Sequence, residues 1–294
     1  MTKRIGIVGV GLLGTAVAQR LLAAGYEVSG CDVRPDSVAA LAPRGLQAAS
    51  SPAAAAEGAS VVFTILPSLD SVETAVRRLL ESVDHDTTIV QMSTISPGLT
   101  RALGEAAAAG GVAFLDTPMS GTSAMVARGD CTIYVAGDRA RADACRPVFD
   151  AIAKKTVYVG ALGTATVAKL ATNLLVGLNT AALAEAFVLA RKGGLEPARL
   201  LDILKESAAG GRMVDVRGPL MVSHDFTAQM KLDLFMKDFA LMLDEGRRVG
   251  APLLLTGLVR ELAAATAASG HGGDDLASII TTLETMAGLR ESTA

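Results

Sequence analysis

The sequence predicts an α/β protein in two parts, a mostly parallel sheet with helices on both faces followed by an all-α region. Three observations carry this. Short, near-continuous apolar runs alternate with helical stretches between residues 4 and 159, the pattern of strands buried on both faces. The first run ends in a glycine turn, Gly9-Val10-Gly11-Leu12-Leu13-Gly14. After Gly163 the apolar residues keep helical spacing only. The expected domains are therefore 1–163 and 164–294, the second including the helix that joins them.

In order, residues 4–8 (Arg-Ile-Gly-Ile-Val) predict a buried strand, 12–24 a helix ended by Gly25, and 26–32 (Tyr-Glu-Val-Ser-Gly-Cys-Asp) the next strand. This is one βαβ unit of ordinary length. Further strands are expected at 60–66, 88–92, 112–116, 132–136 and 156–159, with helices filling the gaps. Few breakers interrupt Ala165 to Lys192, which predicts one long helix leading into the second domain. Helices follow at about 197–207, 215–223, 230–249, 252–269 and 274–288.

Half of the 294 residues are hydrophobic, enough for a sizeable core. Aromatics are only 3% and tryptophan is absent, which does not suit a base-stacking surface. The net charge of -3 and the lack of a long basic run argue against a nucleic-acid partner or an anionic membrane surface. Cys31, Cys131 and Cys145 are odd in number and lack zinc spacing, and His85, His224 and His271 lie far apart, so no metal site is expected. Lys3-Arg4 followed by apolar Ile5 to Ala18 imitates a secretory signal. Gly6, Gly9, Gly11 and Gly14 interrupt that run, and a strand, turn and helix explain them instead. No other window reads as a bilayer span, and the expected location is the cytoplasm.

The glycine turn follows a strand and opens a helix, the context that makes G-x-G-x-x-G a dinucleotide site. Gly9 allows the tight turn, Gly11 lets the backbone approach a pyrophosphate, and Gly14 lets the helix pack on the strand. Asp32 comes 23 residues after Gly9, at a strand end. Its carboxylate would bond the ribose 2′-hydroxyl and repel a 2′-phosphate, predicting NAD. Arg34, beyond Val33, leaves NADP open, because a guanidinium binds phosphate well.

Four separated motifs, in order, resemble the β-hydroxyacid dehydrogenase family, the group of 3-hydroxyisobutyrate dehydrogenase and tartronate semialdehyde reductase. They are the glycine turn, with Leu13 where the family has methionine; Asp116-Thr117-Pro118-Met119-Ser120-Gly121-Thr122, similar to D-x-P-V-S-G-G; Gly163 to Asn173, similar to G-x-x-x-x-x-K-x-x-x-N; and Lys237-Asp238. The resemblance implies a Rossmann domain, a long connecting helix and a helical domain. It implies hydride transfer between a nicotinamide cofactor and a small anionic β-hydroxyacid or its semialdehyde.

Lys169 and Asn173 stand at i and i+4 on one helix face within an otherwise apolar segment. Read alone, Lys169 is better taken as a lysine whose stem lies along apolar surface and whose head reaches water. By resemblance it is the general acid/base, protonating the carbonyl oxygen in reduction and acting as a neutral amine, favoured by partial burial, in oxidation. Asn173 then orients the substrate oxygen, and Ser120, Gly121 and Thr122 bind its carboxylate, with Ser120 also counted catalytic. Leu66, Pro67 and Thr94 line the cofactor by the same resemblance. Lys237 approaches the nicotinamide; its alternative is a salt bridge with Asp233 or Asp238. Thr122 replaces the family's second glycine, and the Thr-Ser-Ala run resembles sulfolactaldehyde reductase, which has an arginine where this chain has Gly121. Two other readings are an imine reductase, whose members often carry aspartate or tyrosine at the lysine position, and a non-catalytic NAD-binding module. Apolar helices at 172–190 and 252–269 predict a homodimer or homotetramer.

Overall fold

The computed structural model of the chain describes residues 4–289; Lys3 of the basic pair and residues 290–294 of the expected second domain lie outside them. The chain forms two compact units divided after Lys169. The division falls inside the long helix, a little beyond Gly163.

The first unit holds one sheet of β1 (Arg4–Val8), β2 (Glu27–Cys31), β3 (Gln47–Ala48), β4 (Val61–Thr64), β5 (Thr88–Gln91), β6 (Ala113–Asp116), β7 (Met119–Ser120), β8 (Thr132–Gly137) and β9 (Lys155–Gly160). The strand order is β3-β2-β1-β4-β5-β6-β8-β7, with β9 beside β8. The first six run parallel. β8 turns antiparallel to β6 and β7, and β9 runs parallel to β8. Phe63 and Val90 enter one core cluster while their neighbours Val62 and Ile89 enter the other. That is the two-residue period of a strand with both faces covered.

The covering helices are α1 (Leu12–Ala23), α2 (Pro35–Ala39), α3 (Pro52–Ala56), α4 (Leu69–Leu80), α5 (Pro97–Ala109), α6 (Ser123–Ala127), α7 (Arg139–Ala144) and α8 (Arg146–Ile152). Ser68 caps α4 in a capping box with Ser71, and Ser96 caps α5 ahead of Pro97. β3 and β7 were not expected, because two-residue strands carry no period to read. The run Ile5 to Ala18 is strand, turn and helix, as its glycines indicated.

The long helix α9 spans Thr164–Lys192, and beyond it lie α10 (Pro197–Glu206), α11 (Arg212–Ser223), α12 (Leu232–Val249), α13 (Leu254–Thr266) and α14 (Ile279–Met286). The helix expected to 269 instead ends in a π-type turn, Ala267–His271, because Gly270 sits at φ 101. By length and composition α9 matches a bilayer span, with a mean hydropathy of 1.5 in its most apolar window. That overrides the expectation that no window does. An Ala- and Leu-rich core helix passes the same test, and α9 carries the buried polar residues Lys169, Asn173 and Thr180.

Within the second unit Gly177 lets α9 meet α12. A Cβ there would stand 2.7 Å from the Phe239 ring and 3.3 Å from that of Phe235. The buried Arg217 guanidinium lies 3.4 Å from Asp275. Asp275 also accepts from the backbone N–H groups of Gln229, Met230 and Ala277.

Candidate active site

The carboxyl ends of the parallel strands gather the residues of the first unit. Gly9, at φ 99, has no room for a side chain, since a Cβ would collide with the Ile65 carbonyl; a Cβ on Gly14 would collide with the Gly9 carbonyl. The turn therefore needs both glycines for its own packing. Gly11 differs, because a Cβ there would meet only Arg34 Nη2, at 3.6 Å, an ordinary contact. Nothing among the described residues fills the space beside that glycine, which leaves it open to the approach of a ligand. Gly11 also N-caps α1 without a side-chain hydrogen bond, and the first turn holds no acid. The first-turn N–H groups at Leu12, Leu13 and Gly14 thus form a site suited to a pyrophosphate.

Asp32 stands beside this turn. Its Oδ2 accepts from Val10 N–H at 2.8 Å and its Oδ1 from Arg34 N–H at 2.9 Å. Arg34 Nε lies 3.6 Å from Oδ1. A carboxylate has about four lone-pair sites, so acceptor capacity remains for ribose hydroxyls. Val33 is 98% exposed at the rim, whereas Val10 is fully buried.

The next strand ends are knitted together. Ser93 Oγ accepts from Leu66 N–H at 2.8 Å and so holds the Leu66-Pro67 turn. Gln91, fully buried, bonds the Ser93 backbone through both ends of its amide. The Gln91 main-chain carbonyl accepts from the Thr117 N–H and hydroxyl. Thr94 follows, half-buried.

Ser120 pairs with Thr132 across β7 and β8. Gly121 takes φ 150, and a Cβ there would lie 2.9 Å from that of Cys131. An arginine at this position would require the segment to be rebuilt. The Thr122 hydroxyl caps α6, accepting from Met125 N–H at 3.3 Å. The sequence reading gave Thr122 to the substrate; here its side chain also serves local structure.

Lys169 is only 8% exposed, on the second turn of α9. The start of that helix is held by Asp116 at the end of β6. Asp116 Oδ2 accepts from Gly163 N–H (3.2 Å) and Thr166 N–H (2.9 Å), and Oδ1 from Thr166 Oγ1 (2.7 Å). Burial outweighs these bonds and pushes the Asp116 carboxyl up to about 6.

In the second unit, Asn173 is buried and its Nδ2 donates to Asp238 Oδ2 at 2.7 Å. Lys237 Nζ lies 3.6 Å from Asp238 Oδ1. Facing a carboxylate, the amide presents its NH₂, so its Oδ1 is the free end for an incoming donor. The cysteines are free and buried, and burial raises each thiol to about 11, which argues against thiolate chemistry. The ties made by Gln91, Asp116 and Asp238 were not legible beforehand, because their partners are distant in sequence.

A glycine turn with an open Gly11, an acid at the second strand end and a buried lysine define a nicotinamide-dependent oxidoreductase. Residues 4–160 match the NAD-binding domain of 6-phosphogluconate dehydrogenase, and residues 163–283 match the family described as NAD-binding of NADP-dependent 3-hydroxyisobutyrate dehydrogenase. The L-threonate dehydrogenase of Cupriavidus necator is 32% identical, over 95% of this chain and 96% of that one. The 3-hydroxyisobutyrate dehydrogenase of Pseudomonas aeruginosa is 33% identical, over 94% and 96%. A Mycobacterium tuberculosis 3-hydroxyisobutyrate dehydrogenase solved with L-serine superposes with a TM-score of 0.90 at 29% identity, over 96% and 99%. The chain belongs to the β-hydroxyacid dehydrogenase family.

Proposed function

We propose that the protein is an NAD-dependent dehydrogenase or semialdehyde reductase of small anionic β-hydroxyacids, with Lys169 as general acid/base. The observation that carries this is a lysine at 8% exposure one helical turn before Asn173. Lysine is almost never fully buried unless it is paired. Hydride exchange is the chemistry that the nicotinamide supplies when bound. The N–H groups of α1 hold the pyrophosphate, and Asp32 takes the ribose hydroxyls and disfavours a 2′-phosphate. Leu66, Pro67, Thr94 and Lys237 complete the cofactor contacts. Lys169 delivers a proton to the carbonyl oxygen in reduction and takes it back in oxidation. Asn173, its NH₂ held by Asp238, offers Oδ1 to the substrate. Ser120 and Gly121 receive the carboxylate, with Thr122 beside them.

The imine-reductase reading is weaker, because Lys169 stands where those enzymes often carry aspartate or tyrosine. We place the protein in the cytoplasm, on its free cysteines. We also infer a homodimer or homotetramer, on the exposed Leu254, Leu255 and Leu258 of α13.

The test is NADH oxidation with a panel of semialdehydes, wild type beside Lys169→Ala and with NADPH in parallel. We expect kcat to fall by about 10²–10⁴ in the variant, with NADH binding retained. A fully active variant would place the proton transfer elsewhere. NADH binding without turnover of any semialdehyde would favour the imine-reductase or binding-module readings.

A further inference from the structure

Asp116 is fully buried, and both its oxygens are spent on the first turn of α9. Helix caps normally come from the residue that precedes the helix. Here Gly163 stands there and has no side chain to offer. The orphan N–H groups of the helix start are met instead by a carboxylate 47 and 50 residues upstream, on a strand of the sheet. The start of α9 is thereby tied to the carboxyl edge of β6. Thr166 doubles the tie. Its backbone N–H and its hydroxyl both donate to Asp116, and Thr100 Oγ1 of α5 lies 3.2 Å from that hydroxyl. Thr100 Oγ1 in turn donates to the Ser96 carbonyl at 3.1 Å. Lys169 follows Thr166 by three residues, on the adjoining stretch of one helix face.

We propose that Asp116 is a positioning residue for catalysis, holding the first turn of α9 so that Lys169 is presented for proton transfer. The proposal rests on the reading of Lys169 as acid/base. Both backbone N–H groups fall on Oδ2, so the tie is a matter of geometry: it needs an acceptor at the end of β6 within reach of the helix start. The groups around Asp116 are Gln91 across β5, Ala136 across β8 and Thr166 on α9, with Thr100 of α5 beyond Thr166. The Arg101 guanidinium packs against Gly163, and burial, not a charge, is what raises Asp116 to about 6.

The assay is NADH oxidation with methylmalonate semialdehyde and tartronate semialdehyde, on wild type, Asp116→Ala, Asp116→Asn, Thr166→Val and Thr166→Ser. Asp116→Ala removes the acceptor and should lower kcat about tenfold while leaving KM for NADH within about twofold. Asp116→Asn keeps an acceptor oxygen for the two N–H groups and should restore most of that loss. Thr166→Val removes the hydroxyl bond of the tie and should lower kcat less than Asp116→Ala, and Thr166→Ser should match wild type. An unchanged kcat in folded Asp116→Ala, or a loss shared equally by kcat and NADH affinity, would overturn the proposal. An active Lys169→Ala would instead overturn the reading of Lys169. A readout independent of turnover is amide exchange. Protection of the Thr166 and Lys169 N–H groups should be lower in Asp116→Ala than in wild type, and equal protection in both would also refute the tie.

Discussion

Gly9 and Gly11 lack side chains for different reasons, and the difference is measurable. At Gly9 the φ of 99 and the Ile65 carbonyl exclude a methyl group. Gly9→Ala is therefore expected to destabilise the fold by about 1–3 kcal/mol, seen as a lower Tm. Gly11→Ala meets only ordinary contact, so its Tm should match wild type. If Gly11 receives the pyrophosphate as proposed, the variant's NADH affinity, followed by fluorescence titration, should fall at least about tenfold, because the methyl group would stand in the ligand's path. At the neighbouring strand end, Asp32 and Arg34 set opposing preferences. Asp32→Asn should raise the NADPH to NADH ratio of kcat/KM, and Arg34→Ala should lower it.

At the scale of the element, α9 combines a costly start with a tight middle. The folded Asp116 carboxyl, at about 6, lies above its ordinary 3.8. The folded state therefore binds that proton more tightly than the unfolded chain. The stability this gives is complete below pH 3.8 and is lost as pH rises through 6. At neutral pH the ionised group costs on the order of 3 kcal/mol. In urea titrations, Asp116→Asn should flatten that part of the stability profile between about pH 4 and about pH 7. The middle of the helix depends on Gly177, where the Phe235 and Phe239 rings occupy the place of a side chain. Gly177→Val should cost about 1–3 kcal/mol by overpacking, read from the same titrations.

At the scale of the molecule, the two compact units rest on different devices. The first buries two apolar clusters on a sheet. The second encloses a buried ion pair, Arg217 with Asp275. Arg217→Met strands a buried carboxylate that keeps only its backbone donors. The expected loss is about 3–5 kcal/mol. Calorimetry should show it in the unfolding of the helical unit, with the sheet unit less affected. Oligomer formation is a property of the whole surface. Leu254→Lys with Leu258→Lys places charge on the exposed apolar face of α13, and light scattering should report a smaller species than wild type.

The class of fold, the main strands of the sheet, the long helix and the glycine turn were legible in the sequence. Each depends on near neighbours: a period of two or of 3.6 residues, or the steric demand of a turn. The strands β3 and β7 were too short to show a period. The 252–269 helix was read past its π-type turn because Gly270 alone does not announce its positive φ. The candidate site divides along the same line. Gly9, Gly11, Gly14, Asp32, Lys169 and Asn173 stood out by motif and spacing. Asp116 and Asp238 stood in the motifs too, but their partners were not legible, because Asp116 reaches Thr166 across 50 residues and Asn173 reaches Asp238 across 65. The sequence alone determined which local conformations were cheap and which residues are candidates for the chemistry. Only the tertiary structure decided which buried donor meets which acceptor, since that pairing exists only once distant segments share one water-poor space.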